Sequence, residues 1–399
     1  IANRILNKFY KAKGKGPSEP FMPLEMQTPE MSDEREDLIV AGGFTEMFLA
    51  KEGHNGIVGV NMLEKSQTDT LATLYGCMLA GVDYVTMGAG IPRNIPGILD
   101  SLSRNELTHL PLTVTNAQST DDFKMTFNPE RFKQAKPVKR PKFLAIISST
   151  VLASTLHKKA NGKIDGFIIE SHKAGGHNAP PRGNMTLSDI GEPVYGPKDE
   201  VDLEKIKEIG LPFWLAGSRA SKTLLDDAIK LGAQGIQLAT PFMLVKESGI
   251  TPELKKAIRE SERKVFTDPA ASPTGFPFKV IQVPCTLSDK DVYESRKRVC
   301  DLGYLRERYR KDDGTLGYRC PAEPINAYVA KGGDIKQTVN SQCLCNALFA
   351  NIGLGRVDSA GEVEKPLLTG GDILSELDWI TEDTSAQDII ELLLETKSK

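Results

Sequence analysis

The sequence lacks any apolar run near the roughly 20 residues that a membrane-spanning helix needs. It begins Ile1-Ala2-Asn3-Arg4, without an initiator Met or the apolar segment of a signal peptide. Its 6 Cys in 399 residues are too few for a disulfide-dense secreted scaffold. From these absences we expect a cytoplasmic protein that makes no contact with a membrane.

The sequence also lacks a large excess of positive or negative charge. Lys and Arg total 50 against 53 Asp and Glu, for a formal net charge of −3. This balance gives no electrostatic reason to expect nucleic acid as a partner. The hydrophobic content of 40% and charged content of 26% are those of an ordinary globular protein. We expect a small-molecule substrate as the partner, and a homo-oligomer is compatible with this composition.

What the sequence does contain is a regular alternation of short apolar runs and helical patterns. Leu203, Ile206 and Ile209 form one helical stripe that ends at Gly210. Several apolar runs are rich in Val and Ile without polar alternation, which favours strands buried on both faces of a parallel sheet. The predicted strands are 38–41, 57–62, 84–87, 143–148, 166–169, 212–216 and 235–238.

Strands that alternate with helices indicate right-handed βαβ units, which both a barrel and an open doubly wound sheet contain. No Gly-x-Gly-x-x-Gly turn opens a helix near the start, which weighs against a Rossmann-type domain. Beyond about residue 265 the alternation stops. We predict a polar N-terminal segment over 1–35, a barrel over 36–284, and a C-terminal extension over 285–399 packed on the barrel.

Three loops that follow predicted strands carry the candidate chemistry. One contains Ala174-Gly175-Gly176-His177, where two glycines let the backbone approach a ligand and the His can act as a base near pH 7. The others are Ala216-Gly217-Ser218 and Ala239-Thr240, small residues that lead into helices, as at the phosphate site of such barrels. A lone Gly-Gly-His is more often a turn with a surface His, so the order of the three loops carries the prediction.

The segments 58–63, 170–177, 215–218 and 232–242 together resemble the nitronate monooxygenases, formerly called 2-nitropropane dioxygenases, and the related FMN-dependent enoyl-ACP reductases. The resemblance implies a TIM-type (β/α)8 barrel with FMN as cofactor. Nothing here matches the family's first strand, so we expect that strand to be missing from this chain. A barrel without one strand exposes two sheet edges, so we expect the missing segment elsewhere or replaced. We interpret 112–115 as part of a hairpin insertion rather than an eighth strand.

The resemblance also implies roles for individual residues. His177 matches the catalytic His that takes the substrate's α-proton. His172 and Arg182 are candidate substrate residues. Ser218 and Ala239 stand where the family has Gly, and the methyl group of Ala239 lies where the backbone approaches phosphate. The residues expected around the flavin and its phosphate are Asn61, Glu170, Gly175, Gly176, Ala216, Gly217, Ser218, Gln237, Ala239 and Thr240.

Three functions follow from this pattern. The first is FMN-dependent oxidation of alkyl nitronates with O₂, and the second is NAD(P)H-dependent reduction of enoyl thioesters at the same flavin site. The third is a barrel that has lost its cofactor and serves as a partner subunit. The extension contains several cysteines but no Cys-x-x-Cys pair, so we expect free thiols and no metal. They are Cys285, Cys300, Cys320, Cys343 and Cys345.

Overall fold

The computed structural model describes residues 1–16, 18–132 and 138–395. Its strands are β1 (Gly59–Leu63), β2 (Tyr84–Gly88), β3 (Thr108–Pro111), β4 (Lys124–Phe127), β5 (Lys142–Ile147), β6 (Gly166–Glu170), β7 (Gly176–His177), β8 (Phe213–Ala216), β9 (Gly235–Gln237), β10 (Val265–Asp268), β11 (Phe278–Ile281), β12 (Glu307–Arg310) and β13 (Leu316–Arg319).

Its helices are α1 (Ala2–Phe9), α2 (Asp33–Lys51), α3 (Thr70–Leu79), α4 (Ile95–Ser103), α5 (Thr150–Lys159), α6 (Leu203–Ile209), α7 (Lys222–Lys230), α8 (Thr240–Leu244), α9 (Pro252–Glu260), α10 (Lys290–Ser295), α11 (Ile325–Ala330), α12 (Leu344–Ala350) and α13 (Ala386–Leu394). In the described part of the chain, no helix combines the length and the apolar character needed to cross a membrane.

The central sheet has six parallel strands in the order β1-β2-β5-β6-β8-β9, which is also their order in the sequence. Helices connect successive strands, as right-handed βαβ connections require. This arrangement confirms the (β/α)-barrel class. Within the described ranges β1 and β9 each pair on one side only, so the sheet has two free edges. The strands pack against the helices through fully buried aromatic side chains, among them Phe143 and Phe167.

One predicted strand is wrong. Residues 38–41 lie in the middle of α2, a helix of 19 residues. The Ser32 hydroxyl accepts the backbone N–H of Arg35, and acidic residues fill the first turn, where they complement the helix dipole. A short apolar run does not distinguish a strand from a buried helical segment, and here the capped helix is the more stable choice.

The hairpin insertion is confirmed. β3 and β4 form an antiparallel pair beside the main sheet, with Thr108 opposite Phe127. Residues 112–115 follow β3 directly, and Thr115 forms an isolated bridge with Tyr309 of β12. The insertion therefore connects the barrel to the hairpin β12–β13 of the C-terminal region.

The C-terminal region also packs on the barrel loops through an apolar cluster. Leu368 and Leu374 share this cluster with Leu244 of α8 and Ile281 of β11, and all four side chains are fully buried. A second sheet, β10-β11-β7, joins β7 of the Gly-Gly-His loop to residues beyond the barrel strands. The domain boundaries near residues 35 and 284 stay predictions.

Candidate active site

The carboxyl ends of three neighbouring strands bring predicted site residues side by side. In the parallel register, Glu170 at the end of β6 is opposite Ala216 of β8, and Ala216 is opposite Gln237 of β9. Functional groups of (β/α) barrels lie at this edge, on the loops that follow the strands. Three residues from segments up to 67 positions apart are thus placed in one row by strand pairing.

Beside this row lies a cavity of about 190 Å³. Four predicted residues line it: Glu170, His172, His177 and Arg182. Its other walls include apolar side chains of β5 and its loop, together with Tyr195 and Phe276, which the sequence did not single out. Apolar walls with a few converging polar groups are typical of small-molecule sites.

His177 is held on two sides by the second sheet. Its backbone pairs with Phe278 of β11, and its ring packs edge-on against the Phe278 ring at 4.9 Å between centroids. Its Nε2 lies 2.7 Å from the Ser272 hydroxyl. Burial lowers the pKa of His177 to about 4 because the imidazolium form loses its hydration. At neutral pH the ring is therefore uncharged and can accept a proton.

The pKa of Glu170 is shifted in the opposite direction to that of His177. Burial alone raises the pKa of its carboxyl group to about 7, since the ionised form is the one that burial penalises. Within the described ranges no hydrogen bond or ion pair reaches this carboxyl group. Near neutral pH it is therefore present in both protonation states, and the protonated form is a hydrogen-bond donor facing the cavity.

His172 and Arg182 lie at the rim of the same cavity. The His172 ring stacks on Tyr195 with 4.3 Å between centroids and an interplanar angle of 8°. Burial lowers the pKa of His172, and the nearby Lys279 lowers it further. The backbone N–H of Arg182 donates to Asp199 at 2.7 Å, and its guanidinium donates to the Ser148 carbonyl at 3.4 Å. An exposed guanidinium at the rim can bind an anionic group.

Gly175 and Gly176 allow another segment of backbone to approach closely, but that segment belongs to this chain rather than to a ligand. A Cβ at Gly175 would lie 2.7 Å from the carbonyl carbon of Gly370, so a larger residue would not fit. The N–H of Gly176 donates to the Thr369 hydroxyl at 2.6 Å. The partner of the Gly-Gly pair is thus a stretch of the C-terminal region, residues 369–373, which we call the capping segment.

The capping segment also contacts the predicted phosphate-side residues. The N–H of Ile373 donates to the Ser218 hydroxyl at 3.0 Å, and Ser218 donates to the Lys173 carbonyl at 2.8 Å. The N–H of Gly371 donates to the Thr240 hydroxyl at 2.9 Å. The structure therefore brings Ser218 and Thr240 together, but around backbone groups of residues 369–373.

The remaining predicted cofactor residues differ in their surroundings. The Gln237 side-chain oxygen is buried without a hydrogen-bond partner. Gly217 has a φ of +96°, and a Cβ there would lie 2.3 Å from the Ser171 hydroxyl, so only glycine fits. Asn61 is exposed, accepts the Thr86 hydroxyl at 3.0 Å and does not line the cavity. Ala239 is exposed at the start of α8.

The cysteines of the C-terminal region come together away from this site. Cys300, Cys320, Cys343 and Cys345 line one small cavity of about 10 Å³, whereas Cys285 is exposed. Burial raises the pKa of all four clustered thiols, which makes them poor nucleophiles. Across residues 1–16, 18–132 and 138–395, no three His, Cys, Asp or Glu side chains are grouped so as to hold a metal ion.

With this geometry, the fold is that of a (β/α)-barrel protein in which His177 and Glu170 line one cavity at the carboxyl edge of the sheet. Residues 120–270 match the model of the family described as nitronate monooxygenase, which confirms the resemblance drawn from the sequence. The match supports assignment of the chain to the oxidoreductases. No curated protein matches this chain.

Three solved structures are similar at low identity. A point mutant of FabK from Thermotoga maritima is 18% identical, with a TM-score of 0.48, covering 90% of this chain and 79% of its own. Nitroalkane oxidase from Streptomyces ansochromogenes is 14% identical, with a TM-score of 0.49 and coverages of 93% and 86%. The enoyl reductase domain of MlnA from the macrolactin cluster of Bacillus amyloliquefaciens is 12% identical, with a TM-score of 0.44 and coverages of 91% and 85%. The fold class rests on the chain's own strand order and the family match.

Proposed function

We propose that the protein is an FMN-dependent oxidoreductase that oxidises small alkyl nitronates with O₂. The observation that carries the proposal is that a half-buried, uncharged His177 and a half-buried Glu170 line the same cavity at the carboxyl edge of the sheet. A base that stays unprotonated and an acid that stays partly protonated near neutral pH are suited to proton transfer.

The residues at this edge fit the polar ring of a flavin. Among the residues that the structure describes, no group hydrogen-bonds to the buried side-chain oxygen of Gln237 or to the Glu170 carboxyl group. Leaving such buried polar atoms unpaired costs free energy, so a ligand with complementary groups would stabilise them. FMN bound here would supply the redox chemistry, while the protein supplies position and a base.

The residues predicted to hold the FMN phosphate could do so only after a local rearrangement. Ser218 and Thr240 would hold the phosphate, but their hydroxyls now accept N–H groups of the capping segment. Lys279, buried nearby, forms an ion pair with Asp372 of the same segment. We infer that phosphate binding requires residues 369–373 to move away from these hydroxyls.

In the proposed reaction His177, which lines the cavity and is uncharged near neutral pH, takes the α-proton of a neutral nitroalkane to give the nitronate, or orients a substrate that enters as the nitronate. Arg182 at the rim binds the anionic nitronate group. The cavity volume of about 190 Å³ favours a short-chain substrate over an enoyl thioester, since drug-sized ligands occupy roughly 300–1,000 Å³. NAD(P)H remains the candidate electron donor for the alternative reductase activity.

A second candidate function has its own supporting observation. The capping segment fills the phosphate side with the chain's own backbone, as expected if the barrel had lost its cofactor and served as a partner subunit.

The test is reconstitution of the purified chain with excess FMN, followed by gel filtration and a visible spectrum. The proposal predicts the bands of bound oxidised flavin, and O₂ uptake with propyl-2-nitronate that exceeds NAD(P)H-dependent reduction of an enoyl thioester. A protein that remains colourless would support the cofactor-free alternative. If enoyl-thioester reduction is faster than nitronate oxidation, the protein is a flavin-dependent reductase instead.

A further inference from the structure

We propose that a second cavity, between the barrel and the C-terminal hairpin β12–β13, binds a phosphate-bearing small molecule of nucleotide size. The cavity has a volume of about 450 Å³, within the roughly 300–1,000 Å³ of small-molecule sites. It is larger than the cavity at His177 and is lined by different residues. The proposal does not depend on flavin binding.

The charge of the lining indicates an anionic ligand. Four cationic side chains line the cavity: Lys65, Arg306, Arg308 and Lys336. The single carboxylate in the lining, Glu307, is already neutralised, because Arg319 donates to both of its oxygens at 2.7 and 3.2 Å. The lining therefore presents an excess of positive charge to the cavity.

These cations lack anionic partners within the described ranges. None of the four forms an ion pair with a carboxylate, in a chain that has more than twenty such pairs elsewhere. Arg306 donates only to the backbone carbonyls of Gly303 and Gln27, at 3.1 and 3.2 Å. A cluster of like charges without counter-charges is unfavourable, and a bound anion relieves that repulsion.

Arg308 gives the strongest single indication that the cavity binds an anion. Its residue is only 6% exposed, and its Nε donates to the Thr113 carbonyl at 3.1 Å. Within the described ranges its two terminal nitrogens form no hydrogen bond, and the residue lines the cavity. Two carboxyl groups, Glu64 and Asp69, lie close enough to act electrostatically on Arg308, but within the described ranges neither forms an ion pair with it, and burial raises the pKa of both.

The planar guanidinium of an Arg matches two phosphate oxygens at once, and Lys adds a point charge. Thr113 and Thr274 also border the cavity, and their hydroxyls can donate to phosphate. The Thr115 hydroxyl, in contrast, donates to Glu307 at 2.6 Å. Phosphate from a nucleotide and phosphate from a phosphopantetheine carrier share this chemistry.

The cavity is separated from His177 only by the loop 272–276. Ser272 contacts His177 and lines the second cavity, while Phe276 lines the first. The ammonium group of Lys65 lies 5.3 Å from the centre of the Phe276 ring. A ligand that engages Lys65 would therefore contact the loop that positions the proposed base.

The experiment is titration calorimetry of the full chain with pyrophosphate, NADP⁺ and coenzyme A at fixed salt. We expect saturable binding that weakens at least about tenfold in the double variant Lys65→Gln/Lys336→Gln. The matched control is Lys256→Gln/Lys290→Gln, two exposed lysines outside the cavity, which should leave affinity unchanged. Arg308→Met, with its melting temperature recorded, is the second test and should also weaken binding.

Each outcome decides the proposal. Tighter binding of NADP⁺ than of the other two assigns a nucleotide, tighter binding of coenzyme A assigns a phosphopantetheine carrier, and equal or better binding of pyrophosphate assigns free phosphate. Absence of saturable binding for all three ligands overturns the site. Equal affinity in the cavity variant and the control variant overturns it too. Because heat of binding is read without flavin, failure here is distinct from failure of the oxidoreductase proposal.

Discussion

At the scale of single residues, burial sets the protonation of the two groups that face the His177 cavity. It lowers the pKa of His177 to about 4 and raises that of Glu170 to about 7. The sequence predicted both residues from their place after a strand. It could not predict Tyr195, which lines the cavity, or Ser272, which contacts His177, because both lie on loops without a motif.

Glu170 makes stability depend on pH. In the unfolded chain it ionises near 4.5 and in the folded protein near 7, so its favourable contribution is full below 4.5 and is lost as pH rises through about 7. Glu170→Gln should therefore be more stable than wild type at pH 8, by up to about 3 kcal/mol, and closer to it at pH 4. Denaturant unfolding at both pH values measures this, with the exposed Glu376→Gln as control. If the stability of Glu170→Gln differs from that of wild type equally at both pH values, the raised pKa of Glu170 is refuted.

Gly217 tests whether the loop after β8 needs glycine for space as well as for conformation. Gly217→Ala places a Cβ 2.3 Å from the Ser171 hydroxyl at a φ of +96°. The control Gly183→Ala has a similar φ of +90° with no atom within 4 Å. We expect a loss of about 1 kcal/mol for the control and about 2 kcal/mol or more for Gly217→Ala, by thermal unfolding. Equal losses would mean that Ser171 moves freely.

At the scale of elements, the capping segment is the feature that sequence reasoning missed. Strand order and the three loops follow from local patterns, because buried parallel strands and small-residue turns have recognisable compositions. The contact of residues 369–373 with Ser218 and Thr240 joins positions more than 120 residues apart, and no local pattern encodes it.

Loosening this segment should favour FMN. Asp372→Asn removes the ion pair that ties the segment to Lys279, and it leaves that buried cation free for phosphate. We expect tighter binding of FMN than in wild type and unchanged binding of riboflavin, which lacks the phosphate, both measured by flavin fluorescence. The exposed Asp378→Asn is the control. Unchanged FMN affinity in Asp372→Asn would show that the segment does not compete.

At the scale of the whole molecule, the chain combines a six-stranded parallel sheet with a C-terminal region that lines the second cavity and contacts the Gly-Gly-His loop beside the first. The sequence predicted the barrel class and most of its strands. It misassigned residues 38–41, because four apolar residues within a long capped helix resemble a strand. It also left unassigned how the C-terminal region folds over the barrel loops, since that packing depends on long-range contacts such as Leu368 with Ile281.

The most direct test of the account is O₂ uptake by the FMN-loaded protein with neutral nitroethane, whose α-proton has to be removed before oxidation, compared between wild type and His177→Asn. The account predicts a loss of about 10²–10⁴-fold in kcat with FMN affinity unchanged, as expected for removal of a general base. In wild type, protonation of His177 should lower kcat only as the pH approaches 4. Full turnover by His177→Asn, or an equal loss of FMN binding and turnover, would contradict it.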